Sequence, residues 1–221
     1  MKTLSVTQEY TLCALKENGK IPLLKSTEVT VCLVMGGLLE LLEQHVVHWD
    51  EKGCLILGEV LPESLGYLRP LYEQITDRKP MTARALAERF VFSATDKNLH
   101  QLLGALGESL EAAGCGTLER EKGLLHEKVT FLPEPQAVQR VVDKIRAEFL
   151  EAGTLSEDVV VLTALLQESG LLKQYFSKYE TDTLKVRLQE VKQNEAYAIV
   201  AKMIDDIELM MAVVATAGAN W

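Results

Sequence analysis

Residues 28–44 read EVTVCLVMGGLLELLEQ, and from Val29 to Leu39 they carry no charge. A segment of that length without a polar face is a helix buried on most of its sides, since exposing it would leave apolar surface in water. It is too short to span a bilayer, which takes roughly 20 apolar residues. Its ending, Leu38, Leu39, Leu41 and Leu42, repeats at helical spacing. Gly36 and Gly37 sit in its middle, and each glycine costs a helix about 1 kcal/mol relative to alanine. The pair predicts either the close approach of another backbone or a kink. Ser26 and Thr27 precede the run, and either side chain can accept a bond from an orphan N–H at its start.

The rest of the chain reads as helices with two short hairpins. Residues 7–17 form a first helix, ended by Asn18-Gly19. Ile21, Pro22, Leu23 and Leu24 are a link into the core helix. Residues 45–49 and 54–57 flank the turn Asp50-Glu51-Lys52-Gly53 and predict a small hairpin. Residues 62–75 put Leu65, Leu68, Leu71, Tyr72 and Ile75 on one helical face, with Pro70 set to kink or split the helix. Thr82 can cap residues 83–92, and Thr95-Asp96 can cap residues 97–113, ended by Gly114. In the second of these Leu99, Leu102, Leu103, Leu106 and Leu110 recur at intervals of three and four. Residues 116–135 alternate as Leu125, Glu127, Val129 and Phe131 against His126, Lys128 and Thr130, with the turn at Glu121-Lys122-Gly123. That is a β-hairpin. Leu124 and Leu125 fall at its tip, where a leucine pair asks for a partner surface unless it folds back on the body.

Residues 135–152 form an amphipathic helix. Ser156 is placed to cap residues 157–168, whose middle is uncharged. Residues 171–176 follow, and residues 181–191 turn Leu184, Val186, Leu188 and Val191 inward. Residues 194–217 make a last apolar helix. There is no internal repeat and no low-complexity linker. The expectation is a mainly α fold: a single-domain helical bundle over residues 1–221 with one or two peripheral β-hairpins.

Composition narrows the function. With 48% hydrophobic and 25% charged residues the chain can bury a large core. A net charge of −9 argues against general attraction to nucleic acid. Aromatic residues are 6%, too sparse for a base-stacking platform. The four cysteines, Cys13, Cys32, Cys54 and Cys115, form no CxxC pair and read as reduced thiols of a cytoplasmic protein. The opening MKTLSVTQEYTLCAL lacks a signal-peptide pattern, and no lipid-anchor motif or membrane span is evident.

Motifs of catalysis are missing. No GxGxxG or Walker loop follows a strand, and there is neither HExxH nor GxSxG. Gly104 and Gly107 lie inside a helix, where close packing explains them. His45 and His48 are three residues apart without a third ligand at suitable spacing. Asp205, Asp206 and Glu208 read as a solvated helix face. The chain is expected not to be an enzyme and to use no metal or cofactor.

Two binding readings follow. Residues 82–92, a turn, residues 97–113 and a hairpin stand in the order of a winged helix, which would place Lys97, Asn98, His100 and Gln101 toward DNA. Only Lys97 among these is cationic at neutral pH, so nucleic acid is the weaker partner. The other reading comes from resemblance. GGLLELLEQ, then SLEAAGCGTLEREKGLLHEKVTFLP, then VVVLTALLQESGLLKQYF, and finally MMAVVATA resemble, in order and spacing, the Golgi phosphoprotein 3 family. Members of that family are helical proteins that bind phosphatidylinositol 4-phosphate at membranes.

The resemblance implies a non-enzymatic peripheral membrane or adaptor-like protein. Eukaryotic members hold the phosphate with a tryptophan ahead of the core helix and with arginines on two helices, and arginine suits phosphate through its bidentate fork. Here the tryptophan position falls at Lys25, the core-helix arginine at Val34, and the later arginines at His100 and Leu103. The basic loop after the core helix becomes Glu43, Gln44 and His45. Lys25 and His100, with Lys97 nearby in sequence, are the remaining candidates for an anionic phospholipid head group, whose binding is expected to be weakened or lost. The hairpin leucines Leu124 and Leu125 are the candidates for membrane contact or homo-oligomer formation. In missing the phosphate-binding arginines the chain resembles bacterial relatives of that family.

Overall fold

The computed structural model describes residues 3–75, 80–93, 95–122, 127–151, 155–194, 197–198, 201–202, 204–205, 207–209 and 211–212. At its centre runs α2, Ser26–Glu43, unbroken. Every residue from Val29 to Leu41 is buried, as the missing polar face requires. Around it stand α1 (Val6–Ala14), α3 (Arg69–Ile75), α4 (Ala83–Val91) and α7 (Glu157–Glu168), all in contact with it.

The glycine pair explains how those neighbours come so close. A Cβ on Gly36 would lie 3.2 Å from Leu165 Cδ1 and 3.3 Å from Thr7 Oγ1. One on Gly37 would lie 2.8 Å from Leu71 Cδ2 and 3.0 Å from Leu68 Cδ2. Of the two expectations, close packing is found and a kink is not, and the approaching atoms are chiefly side chains. The expected caps are not used. Ser26 already has helical backbone angles, so the N-cap position passes to Lys25, which makes no side-chain cap bond.

The one charged side chain in the buried stretch, Glu40, is satisfied twice. It accepts from the Thr7 N–H at 2.7 Å and from the Tyr67 O–H at 2.7 Å. Thr7 lies in the first turn of α1, so the carboxylate sits at the positive end of that helix. α1 also carries its own capping box, with Ser5 and Gln8 bonding reciprocally. It ends at Ala14, short of the expected residue 17.

β1 (Val47–Trp49) and β2 (Leu55–Leu57) pair antiparallel, with Trp49 opposite Leu55. The turn is closed by Asp50, whose Oδ1 accepts from Lys52 N–H and Cys54 N–H, each at 2.8 Å. The helix expected over residues 62–75 is split: a 3₁₀ turn, Glu63–Leu68, gives way to α3 at Arg69. Pro70 lies in the first turn of α3, where its missing N–H removes no helical bond. Thr82 Oγ1 caps α4 by accepting from Ala85 N–H at 3.2 Å. α5 (Lys97–Ala112) has Asp96 at its N-cap in the left-handed region, again without a side-chain bond.

α5 buries Leu102, Leu106 and Leu110, with Leu99 and Leu103 packed partly against the core. It lies against the hairpin β3 (Gly116–Lys122) and β4 (Glu127–Pro133), in which Leu118 faces Phe131. Gly107 permits this, since a Cβ there would stand 2.7 Å from Phe131 Cβ, whereas Gly104 faces open space and needs no glycine for packing. Leu124 and Leu125 lie outside the described residues.

α6 (Pro135–Leu150), α7, α8 (Leu172–Tyr175) and α9 (Lys178–Gln193) complete the bundle. Ser156 occupies the N-cap of α7, yet its hydroxyl donates to Glu148 Oε2 at 2.7 Å and accepts no bond from the helix. In α9 Leu184, Leu188 and Val191 are buried, but Val186 is exposed. Its position, two residues from both leucines, puts it on the opposite helical face. Two arginines tie α9 to α6. Arg146 Nε donates to Glu180 Oε1 at 2.8 Å, and its guanidinium lies 5.3 Å from the centre of the Phe176 ring. Arg187 Nη1 donates to the Phe149 and Glu151 carbonyls at the end of α6. Of the last apolar segment, Ile204 and Ile207 are buried, and Lys192 of α9 pairs with Asp205 at 2.7 Å and Glu208 at 2.8 Å.

Two predictions test this packing. Gly19 (φ +70°) rests on β4 so closely that a Cβ would fall 2.3 Å from the Phe131 carbonyl oxygen, whereas Gly53 (φ +74°) has nothing within 4 Å. Gly53→Ala should cost about 1–2 kcal/mol for the left-handed backbone alone. Gly19→Ala should cost roughly 1–3 kcal/mol more for the clash, read as the difference between two urea melts. The second concerns acid. Bonds from Arg146, then from the Ser177 backbone N–H, hold the Glu180 carboxyl down at about 2. A depressed carboxyl stabilises the fold above its unfolded pKa of about 4.3, and that contribution is lost as pH falls through the folded value. The stability advantage of wild type over Glu180→Gln should therefore shrink between about pH 4.5 and 2. Melting temperatures of both proteins across that range check it.

Candidate functional site

Lys25 is anchored, not free. Its Nζ donates to the Gly170 carbonyl just beyond α7. The chain there turns back in a Schellman motif, with Gly170 N–H bonding Gln167 O at 2.9 Å and Leu171 N–H bonding Leu166 O at 2.8 Å. Gly170 supplies the positive φ of +66°, and a Cβ on it would stand 2.8 Å from Lys25 Nζ. The ammonium thus lies at the negative end of the α7 dipole, a stabilising position for a cation.

Gly170 is also on the rim of a groove of about 400 Å³. Gln167 and Gly170 come from the end of α7, Lys173 from α8, and Thr181, Lys185 and Gln189 from α9. Lys173 and Lys185 are exposed. Gln167 Oε1 is buried without a hydrogen-bond donor, while its amide nitrogen donates to Glu168 Oε1 at 3.2 Å. Ammonium groups along a half-open groove attract an anion as point charges, without the two parallel bonds that a guanidinium supplies. Sequence reasoning named Lys25 but missed Lys173 and Lys185. The spacing of Thr181, Lys185 and Gln189, at four and four, was the available signal for a shared helical face.

The other sequence candidates lie on α5. Lys97 and His100 share its exposed first turn, where the His100 N–H bonds the Asp96 carbonyl at 2.9 Å. α5 packs against α3, α4 and the hairpin, whereas Lys25 engages the end of α7. Val34 is fully buried and Leu103 is half-buried against the core, so two of the three positions that the resemblance assigns to phosphate-binding arginines serve packing, and the third, His100, is exposed. The winged-helix order of α4, α5 and hairpin is present, but Asn98 Nδ2 donates to the Arg89 carbonyl at 3.1 Å. Arg84 pairs with Glu88 at 2.8 Å, and Glu108 and Glu111 are exposed on α5. Acids on that surface oppose a phosphate backbone.

A second groove is acidic, with Glu40, Glu43 and Asp158 beside Ser5, Ser64 and Tyr67. Partial burial, then the charges of Asp158, Glu40 and Glu157, push the Glu43 carboxyl up. Glu40 is held by Thr7 and Tyr67, and burial followed by that carboxylate drives the Tyr67 hydroxyl up as well. Burial does the same to the thiols of Cys13 and Cys32, which makes them poor nucleophiles. His45 and His48 stack with ring centres 5.7 Å apart. Among the described residues no group of three or more His, Cys, Asp or Glu is arranged to hold a metal ion. Among them too, no helix is long and apolar enough to cross a membrane.

Comparison with known proteins agrees with the architecture. No curated protein matches the chain. The family model for Golgi phosphoprotein 3 (GPP34) matches residues 6–207, a stretch that runs from the start of α1 past the end of α9 and takes in both hairpins and the α7–α9 groove. On that match over nearly the whole length, the chain belongs to the Golgi phosphoprotein 3 family.

Proposed function

We propose that this protein is a non-enzymatic peripheral membrane or adaptor-like member of its family that meets anionic lipid head groups through general charge, without a phosphoinositide-specific pocket. The observation that carries this reading is the fate of two positions. Val34 is fully buried in the core, and Lys25 is engaged with the α7 terminus. The lysine groove between α7, α8 and α9 is open to an anion. Point charges on flexible stems favour negative surfaces without discriminating among phosphate patterns. The non-enzymatic part is supported by the condition of the reactive groups. The most buried thiols are pushed up in pKa, and the buried carboxylate Glu40 already accepts two bonds. Self-association through the β3–β4 hairpin belongs to the same reading.

Co-sedimentation with three vesicle compositions tests it: phosphatidylcholine alone, phosphatidylcholine with phosphatidylglycerol, and phosphatidylcholine with phosphatidylinositol 4-phosphate at matched charge. Binding should be equal on the two anionic compositions and weak on the neutral one, and it should fall as salt rises. Lys173→Glu/Lys185→Glu should reduce it about thirtyfold or more, at about 1 kcal/mol per basic residue near the surface. A preference of about tenfold or more for the phosphoinositide would show a retained specific pocket. Absence of binding to every composition would remove the membrane reading.

A further inference from the structure

Among the described residues, the link between α1 and α2 holds the most exposed pair of adjacent apolar side chains. Leu23 is 85% exposed and Leu24 is 95% exposed. Val60 and Tyr179 are as open, but neither has an exposed large apolar residue next to it in the chain, and Trp49, Ile56 and Leu57 on the first hairpin are more than half covered. Two adjacent leucines at nearly full exposure are costly in water, and such a patch marks a surface built to meet something.

This pair is not on a loose segment. Leu23–Lys25 is a 3₁₀ turn, closed by the Lys25 N–H bonding the Pro22 carbonyl at 3.0 Å. Before it, Lys16 N–H bonds Lys20 O at 3.0 Å and Gly19 N–H bonds Lys16 O at 2.8 Å, which makes residues 16–20 a tight loop. Gly19 seats that loop on Thr130 and Phe131 of β4. Pro22 is buried, and Lys25 is tied to Gly170. The leucines are thus presented on a support fixed from both sides, and little ordering entropy remains to be lost when they are covered.

The charges around them select the partner. Residues 16–25 read KENGKIPLLK, with lysines at 16, 20 and 25 and one acid, Glu17. The segment is therefore cationic in a chain of net charge −9. Lys16 and Lys20 are exposed, as is Glu17, and Glu28 on the first turn of α2 is half-buried. We infer that Leu23 and Leu24 are a membrane-insertion wedge, entering the acyl boundary of an anionic bilayer while Lys16 and Lys20 stay at the head groups. Apolar tips with flanking lysines are the arrangement that an interfacial anchor requires, because the lysine stems lie along the apolar layer while their charges remain in water. This inference rests on the peripheral-membrane reading above and adds to it the element that enters the lipid.

The test uses the full chain and vesicles of phosphatidylcholine with a minor share of phosphatidylglycerol. Leu23→Ser/Leu24→Ser should keep the wild-type circular dichroism and melting temperature, since neither side chain contributes to the core. It should lower vesicle affinity about tenfold or more. Lys16→Glu/Lys20→Glu should lower it too, with the loss diminishing at high salt. Leu24→Trp should show a blue-shifted emission component on adding vesicles that wild type, with its own two tryptophans, does not show. Wild-type binding that the serine variant retains in full would overturn the wedge and leave the peripheral-membrane reading standing. Failure of wild type to bind any vesicle would overturn both. Concentration-dependent self-association that the serine variant abolishes, with vesicle binding unchanged, would assign the leucines to a second copy of this chain and overturn the wedge.

Discussion

A helix with no polar face must be enclosed, and the enclosure of Val29–Leu41 dictates much of this structure. Four helices close around α2, and two of them reach it over the glycine pair, α7 across Gly36 and α3 across Gly37. Larger side chains at those two positions would force the neighbours outward and leave gaps elsewhere along the helix, and interiors at native packing density do not absorb such gaps without cost. The single charge inside, Glu40, follows the same logic. Its carboxylate is largely withdrawn from water, and it is held by the first turn of α1 and by Tyr67. It thereby fixes where α1 crosses the bundle, and α1 in turn packs on α6 and α7.

The enclosure has a functional consequence. At position 34 the core accepts valine with no exposure. An arginine there would have to bring its charge out to a pocket, which means opening the shell around α2, or else remain buried unpaired at a cost of several kcal/mol. Tight closure around this helix and a phosphate grip emerging from it are therefore opposed. In this chain closure prevails. Lys25, at the tryptophan position of the resemblance, has likewise become part of the support by neutralising the end of α7.

What could be read in advance divides along a physical line. Helix identity, the two hairpins and the mainly α class follow from periodicity and turn residues, which are local and survive in the sequence, although Glu121 and Lys122, expected in the second turn, are paired residues of β3. The split at Pro70, the cysteines as free thiols, and the helix-ending glycines at 19 and 114 belong to the same group. Caps were less legible, because Ser26 is absorbed into the first turn and the Ser156 hydroxyl donates to Glu148 instead of accepting from its helix. Either use is chemically equal until the neighbours are placed. Val186 misleads because apolar type alone does not fix helical phase. The partner of Lys25, 145 residues away, has no local signature at all. Leu23 and Leu24 show the converse limit. A leucine pair in a link normally folds inward, and only the fastening at Gly19, Pro22 and Lys25 holds this one out.

Net charge is a poor guide to what such a surface meets. At physiological ionic strength the screening length is about 8 Å, shorter than the span of a bundle of this size. Most of the carboxylates behind the −9 balance lie too far from a given lysine to cancel it, so contact is decided by the charges within one screening length. The 16–20 loop carries Lys16 and Lys20 with Glu17, and the α7–α9 groove is lined by Lys173 and Lys185, with Glu168 beside Gln167. Both places adjoin Lys25, the first through the chain and the second through Gly170. The bond from Lys25 to Gly170 thus joins the support of an exposed apolar tip to the rim of a cationic groove.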